Sequence, residues 1–333
     1  MTRKTSIRKV GEFGLISMIR QALSPVKKDS ALMLGIGDDA AVFRTSGHVW
    51  NVVTVDAMTE GIHFNLRYTD LRKLGWKALA SNISDLAAMG AEPKWALVNL
   101  TIPKRVSAED IRELYRGISN CSKKYGMQVI GGNITRAINE FVICITLLGE
   151  AEKENIVKRS GAKTGDIIAV TGDLGGSHAG LRILQEGKRT NTFRHVLRKH
   201  LSPIPRIESI RKIQRFGVKI HACIDISDGL SSDLGHICSA SKVGAELELD
   251  KIPIHTETKN AAAFLREDVL SYALNGGEEY ELLMTMTPKN FKKAKIALGR
   301  HITAIGKINT SRKLTGYDQN KKITIKAKGF SHF

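Results

Sequence analysis

The 333-residue chain has few cysteines, few aromatics and no long apolar run, and each shortage removes a class of protein. Its four cysteines, Cys121, Cys144, Cys223 and Cys238, form no C-x-x-C pair and share no zinc-site spacing with the histidines. That excludes a disulfide scaffold and a zinc module. They fall in apolar or amphipathic runs such as FVICITLL, so reduced, mostly buried thiols are expected. No apolar stretch approaches the roughly 18 residues of a membrane span. The basic start MTRKTSIRKV is not followed by the apolar segment of a secretory signal, and a cytoplasmic protein without a membrane partner is expected. Aromatics make up 6% of the chain, and its basic stretches, RTNTFRHVLRKH and NKKITIKAK, carry one between them, Phe193. The stacking platforms of single-strand nucleic-acid binders are therefore missing. Also absent are the Walker loop G-x-x-x-x-G-K-[ST], the zinc motif H-E-x-x-H, and a G-x-S-x-G context around Ser227.

Positive charge is what the chain has in excess. Fifty-one Lys and Arg against 33 Asp and Glu give a net charge of +18. Such a balance attracts anions, whether phosphorylated metabolites or nucleic acid. The basic residues are dispersed along the chain, so nucleic acid is not expected as the main ligand.

Periodicity predicts an α/β (α+β) protein of two α/β domains. Residues 11–23 and 70–89 read as helices, and SAEDIRELYRGISNCSKKYG is the clearest helix, with Ser107 as N-cap and Gly126 as stop signal. Strands are expected around ALMLGI and AAVF, over 48–56 ending on Asp56, and at KWALVNLTIP, MQVIGG and FVICITLLGEA. The alternation then starts over, with strands at DIIAVTG, KIHACIDIS, GAELELD, YELLMTM and HITAIGKI, and helices after Gly-Gly-Ser, over SPIPRIESIRKIQRFG and over SSDLGHICSASK. A division into 1–153 and 154–333 is expected, in the charged stretch between them.

The acids of this basic chain cluster in five strings: GDDAA (Asp38, Asp39), TVDAMTEGIHF (Asp56, Glu60), SNISDLAAMGA (Asp85), DISDGLSSD (Asp225, Asp228, Asp233) and NGGEEYEL (Glu278, Glu279, Glu281). Four of the five fall at predicted strand ends or in adjoining turns, where ligand groups gather. Asp85 instead sits in the long helix, three residues after Asn82, so that both project from one face. Singly, each has a plain reading as a turn residue, a cap or a solvated face. Together they suggest carboxylates converging on a divalent cation, and Mg²⁺ binds through a few carboxylates plus substrate phosphates. The Gly35-x-Gly37-x-x-Ala40 spacing fits a dinucleotide fingerprint, but a strand rather than a helix follows it, so that reading is rejected.

Taken in order, GEF, GIGDDAAV, D-x-x-x-E-G-x-H-F, SNISDLAAMGA, GGN, RSGAKTGD, DISDGLSSDL, GGEEYEL and the terminal KGFSHF closely resemble the thiamine-monophosphate kinase family. Its superfamily includes aminoimidazole ribonucleotide synthetase, selenophosphate synthetase and a hydrogenase maturation factor. The resemblance implies an N-terminal metal- and ATP-binding domain that dimerises, and a C-terminal domain completing the nucleotide and substrate sites. It implies transfer of a phosphoryl group from ATP to thiamine monophosphate with several Mg²⁺ ions, in a homodimer. By the same resemblance, Asp39, Thr54, Val55, Asp56, Asp85, Asn133, Asp225 and Asp228 would hold metal. Gly132, Asn133, Arg159 and Ser227 would contact ATP, and His63, Glu278 and Phe330 would line the acceptor pocket. No side chain is expected as an obligatory nucleophile or base. Two positions depart from the family: Asn133 stands where an aspartate is usual, and Val55 where a threonine is usual. Two other readings stay open, another ATP-dependent enzyme of the superfamily and a degenerate binder of anions or nucleic acid.

Overall fold

A computed structural model describes residues 7–23, 30–44, 47–187, 191–318, 321–325 and 329–330. The SHF end of the expected terminal motif lies outside them. After α1 (Ile7–Ala22), which Gly11 interrupts at φ 69°, the first half builds one sheet and two long helices. Its elements are β1 (Leu32–Leu34), β2 (Ala41–Arg44), β3 (Val49–Thr59), α2 (Leu71–Ala88), β4 (Glu92–Pro103), α3 (Ala108–Tyr125), β5 (Gln128–Ala137) and β6 (Val142–Glu152). The strands lie in the order β1-β2-β3-β6-β4-β5, antiparallel except for β4 with β5.

Local chemistry accounts for the helix boundaries. Ser107 and Asp110 form a reciprocal capping box at the start of α3, and Gly126 closes it in the left-handed region at φ 70°. Acids in the first turn and Lys123 and Lys124 in the last match the helix dipole. α2 begins at Asp70, whose carboxylate accepts the Lys73 N–H at 3.0 Å.

The second half contains β7 (Ile167–Thr171), α4 (Gly176–Gln185), α5 (Arg194–Leu201), α6 (Ile207–Arg215), β8 (Ala222–Asp225), α7 (Leu230–Ser241), β9 (Gly244–Glu248), α8 (Thr256–Leu265), α9 (Val269–Asn275), β10 (Leu282–Met286), α10 (Pro288–Leu298), β11 (Ile302–Asn309), β12 (Leu314–Asp318) and β13 (Lys321–Thr324). Its strand order is β13-β12-β9-β11-β7-β10-β8, with β9 and β12 the parallel pair.

One hydrophobic core spans both halves. Leu79, Ile83 and Leu86 of α2 pack with Ile143, Ile145 and Leu147 of β6, and the same cluster takes in Ile210 and Ile213 of α6 and Met284 of β10. α2 is thus a shared layer, touching β3 and β6 on one side and β8 on the other. Among the described residues, no helix covers the opposite face of the first sheet. Strand alternation places Val53, Val55, Trp95, Leu97 and Leu148 on it, with Val55 60% and Trp95 40% exposed.

Three sequence expectations need adjustment. β3 does not end on Asp56 but runs on to Thr59, because the Met58 side chain continues the buried face. The expected helix over 202–217 starts only at Ile207, since Pro203 and Pro205 keep its approach extended. Helices α5, α8, α9 and α10 and strands β12 and β13 were not expected; all are short.

α2 and α3 cross closely through two glycines. A Cβ on Gly75 would stand 2.0 Å from the Leu114 carbonyl oxygen, and one on Gly117 would stand 1.8 Å from that of Arg72. Backbone cannot retreat as a flexible side chain can, so Gly117→Ala should destabilise the protein by about 2–4 kcal/mol. Urea denaturation measures this, and a loss under about 0.5 kcal/mol would show that the crossing is loose.

Candidate active site

The cleft forms where four segments meet across the two halves. The β1–β2 turn brings Asp38 and Asp39, β3 brings Thr54 and Asp56, α2 brings Asp85, and the end of β8 with the following turn brings Asp225, Ser227 and Asp228. These residues line one cavity of about 890 Å³, together with Val55, His63, Arg159, Glu278 and Phe330.

At its floor, one carboxylate oxygen from each of Asp39, Asp85 and Asp225 lies within 4.8 Å of the other two. Hydroxyls from neighbouring elements fix two of them. Thr54 Oγ1 donates to Asp85 Oδ2 at 2.6 Å, and Ser84 Oγ donates to Asp225 Oδ2 at 2.7 Å. The third is held by the Arg159 guanidinium, whose Nη2 lies 2.6 Å from Asp39 Oδ1. Asp38 points elsewhere and accepts the Arg159 backbone N–H at 3.0 Å. The neighbouring acids of the glycine turn thus do different work. Asp39 enters the cluster, and Asp38 pins the turn to the 159 segment.

Burial and mutual repulsion raise the affinity of these groups for protons. The Asp85 carboxyl is pushed well above the ordinary range by burial first, then by the charges of Asp56, Asp225 and Asp39. Asp225 is pushed up to about 8 by burial, with the Asp39 charge next. Asp38 rises to about 6, chiefly by burial. A small cation suits this arrangement. The donors are all hard carboxylate oxygens, and Asp39 Oδ2 is buried without a hydrogen-bond partner among the described residues. Asp228, Asp233 and His236 form a second close group. There Asp233 Oδ2 accepts the Gly229 and Asp228 N–H groups at 3.0 and 3.3 Å, which accounts for its orientation at the start of α7.

The acceptor-pocket candidates stand together at one end of the cleft. The His63 and Phe330 ring centroids are 6.2 Å apart. His63 Nδ1 accepts the Thr59 N–H at 3.1 Å, and the Phe330 N–H binds the Asp228 carbonyl at 2.9 Å. The Glu278 N–H binds the Ser227 carbonyl at 2.7 Å, joining the turn after β8 to the 276–281 segment. In that segment Glu278 and Tyr280 both take left-handed backbone, at φ 60° and 53°.

Gly132 and Asn133 are not brought to this cleft by their own chain. They lie on β5, the sheet edge, three strands from β3, roughly 14 Å at the usual spacing. Register puts Asn133 beside Asn99, Cys144 and Ala57 on the uncovered face, opposite the face that carries the Asp56 side chain. Asn133 is therefore not a co-ligand of Asp56 within one chain. By the same alternation the Val55 side chain points to the uncovered face, so only its backbone is available to the cleft. Asn82 does not share the Asp85 site either: it is wholly buried and gives its amide to the Ala78 carbonyl at 3.0 Å.

Glu279 and Glu281 are not surface residues. Glu281 is fully buried, bonded to Thr171 Oγ1 at 2.6 Å, to Lys199 at 2.9 Å and to Arg206. Glu279 accepts the Ser177 N–H at 2.9 Å and pairs with Lys199 at 3.0 Å. Sequence reasoning missed these cations and also missed Ser84, Lys77, His178 and His200, all beside the cleft. The spacing of Lys77, Ser81, Ser84 and Asp85 on α2 was the available signal: a polar stripe on an otherwise apolar helix.

Fold and site together define a two-domain protein of the AIR synthase related type. The family model for the AIR synthase related protein N-terminal domain matches residues 37–151, and that for the C-terminal domain matches 163–319. The thiamine-monophosphate kinase of Buchnera aphidicola subsp. Schizaphis graminum is 38% identical over 314 residues, covering 92% of this chain and 94% of that protein. The Bacillus subtilis kinase of the same name is 37% identical over 317 residues, covering 91% and 94%. A solved structure described as AaThiL complexed with AMPPCP and TMP superposes with a TM-score of 0.87 at 32% identity, over 100% of both chains. Structures of the hydrogenase maturation protein HypE share the fold at 20% identity or less, as in one with a TM-score of 0.70 at 19%. The chain belongs to the thiamine-monophosphate kinase family.

Two hydroxyls orient the acidic cluster, and such supporting groups typically change metal affinity 10–100-fold. Ser84→Ala and Thr54→Val should each weaken Mg²⁺ binding by roughly tenfold in calorimetric titration, with the fold intact by circular dichroism. The pH dependence has a definite sign. Burial and the Asp39 charge raise the Asp225 carboxyl to about 8, so a cation bound there competes with protons. Mg²⁺ affinity should rise between pH 6 and about 8 and then level off, with proton release in weak buffer. Flat affinity over that range would contradict the repulsion.

Proposed function

We propose that this protein transfers the γ-phosphoryl group of ATP to thiamine monophosphate, giving thiamine diphosphate and ADP, with Mg²⁺ held by the interdomain carboxylates. The observation that carries the reading is the convergence of Asp39, Asp85 and Asp225 in the cleft that also holds His63, Glu278 and Phe330. It is supported by a relative of nearly the same shape, whose description names AMPPCP and TMP as its ligands. Asp56 and Asp228 complete the acidic lining. Bound there, Mg²⁺ supplies positive charge where two polyanions must approach.

The chain's own groups do the rest. Thr54 and Ser84 hold the ligand carboxylates, and Arg159, already beside Asp39, offers a guanidinium to phosphate oxygens. Ser227 lies at the turn after β8, in reach of a nucleotide in the same cavity. The acceptor is itself a phosphate, with a second pKa near 6, so its oxygen is ionised at neutral pH and no side chain need take a proton from it. That oxygen attacks the γ-phosphorus, the bond to the β–γ bridging oxygen breaks, and ADP leaves with the electron pair. Phe330 presents an aromatic face suited to a cationic thiazolium.

A homodimer is part of the reading. The face of the first sheet that no helix covers among the described residues exposes Val55 and Trp95, a surface suited to a second copy. Asn133 faces the same side, so a dimer is the arrangement in which it and Gly132 can take part in a site, that of the partner. Localisation in the cytoplasm fits the absence, among the described residues, of a helix long and apolar enough to cross a membrane.

Purified protein given ATP, Mg²⁺ and thiamine monophosphate should form ADP and thiamine diphosphate in equal amounts. No turnover above a protein-free control would reject the function. His63→Gln should raise the acceptor KM without abolishing transfer, and a trapped phosphohistidine would refute direct transfer. Asn133→Asp should tighten Mg²⁺ dependence only under conditions where light scattering shows a dimer.

A further inference from the structure

Lys77 on α2 is 1% exposed and is among the largest fully buried side chains. A buried ammonium needs compensation from charge and hydrogen bonds. Its Nζ lies 2.7 Å from Glu278 Oε1 and 3.5 Å from the His63 carbonyl oxygen. Both partners belong to segments that form the acceptor end of the cleft. Beside that end lies a second chamber of about 710 Å³, which includes Arg67 and Tyr68 in its lining. The two chambers share Ile62, His63, Leu181, His200 and Glu278, so Glu278 stands at their junction. Lys77 lines neither chamber and reaches the ligand space only through Glu278 and His63.

The surroundings of Glu278 leave its position to this contact. Its backbone is left-handed and anchored at Ser227. On its other side, His200 Nδ1 is 3.5 Å from Oε2. Burial first, and then the Lys77 charge, hold that imidazole well below its usual range. A neutral ring grips a carboxylate less firmly than a cation does. The Lys77 ammonium, at 2.7 Å, is therefore a charged group that fixes which way the carboxylate faces at the junction.

We propose that Lys77 is a positioning residue for the acceptor: from beneath the cleft it holds Glu278 and the His63 segment in the orientation that receives the organic, cationic half of the substrate. This deepens the kinase reading and rests on it. The phosphoryl-transfer end, built on Asp39, Asp85 and Asp225, is not its concern. Loss of Lys77 should consequently appear in acceptor affinity and not in the transfer step.

The test is steady-state kinetics on wild type, K77M, E278Q and K77M/E278Q, with ATP and thiamine monophosphate varied separately. K77M should raise the acceptor KM roughly tenfold or more, the usual effect of stranding one buried partner, with ATP KM and kcat changed less than about threefold. In the E278Q background the same substitution should add less than about threefold, because its effect runs through Glu278. If K77M alone does not fold, K77M/E278Q, which strands no charge, is compared with E278Q, and equal acceptor KM values support the proposal. A fall in kcat with unchanged acceptor KM, or full additivity in the double variant, overturns it. An inactive wild type would instead reject the kinase reading and this inference with it, a pattern distinct from either.

Discussion

Three carboxylates that should repel one another are held together in a buried cleft, and the architecture on both sides is arranged around that conflict. At 4.8 Å two unit charges repel by about 3–4 kcal/mol at an effective dielectric of 20. Asp39, Asp85 and Asp225 come from three different elements in two halves of the chain, so nothing local forces them to meet. The shared apolar core does so. α2 is packed against β3 and β6 on one side and β8 on the other, and Asp85 and Asp225 are delivered by those same elements. Part of the hydrophobic stabilisation of the fold is thereby spent on a concentration of negative charge that a cation can discharge.

Arg159 belongs in this balance. It lies beside Asp39 and is tied through its backbone to Asp38, so the cluster already has one organic cation at its rim. A guanidinium cannot enter a space bounded by three carboxylate oxygens as a small metal ion can, but it can tend the outermost of them. The pairing also places a guanidinium, a group suited to phosphate, next to the carboxylate cluster. In the proposed reading, nucleotide and metal would draw on this one local charge system.

Much of this could be read in the amino-acid order, because each motif string keeps its acids at a strand end or turn whose chemistry is local. Gly37, Asp38 and Asp39 announce a turn, and Asp225 follows a short apolar run that reads as a strand. The Ser107 and Gly126 boundaries of α3 were legible for the same reason. What was not legible depended on pairing across the sequence. Asn82 and Asp85 project from neighbouring positions of α2, yet only Asp85 meets the cleft, because Asn82 finds a partner in its own helix turn. Strand register sent Asn133 to the uncovered face, and no property of Gly-Gly-Asn alone reveals a register. Lys199 and Arg206 sit in a region read as dispersed positive charge, and nothing adjacent to them marks Glu279 and Glu281 as their partners.

The NGGEEYEL string shows why the distinction matters for function. Its acids alternate in fate. Glu278 and Tyr280 face the cleft with left-handed backbone, a conformation unfavourable for residues with side chains. Glu279 and Glu281 point the other way into a buried set of cations and amide donors. The second pair supplies what the first needs. Charge-assisted bonds to Lys199, Arg206 and the start of α4 fix alternate residues so firmly that the intervening ones are held in an orientation they would not choose. Gly172 fits this scheme, since a Cβ there would come within 2.2 Å of a Glu281 carboxylate oxygen. A string of three acids that reads as a single negative patch is thus two devices. One is a buried anchor that rigidifies the segment, and the other is a presented face whose placement relative to α2 shapes the end of the cleft lined by His63 and Phe330.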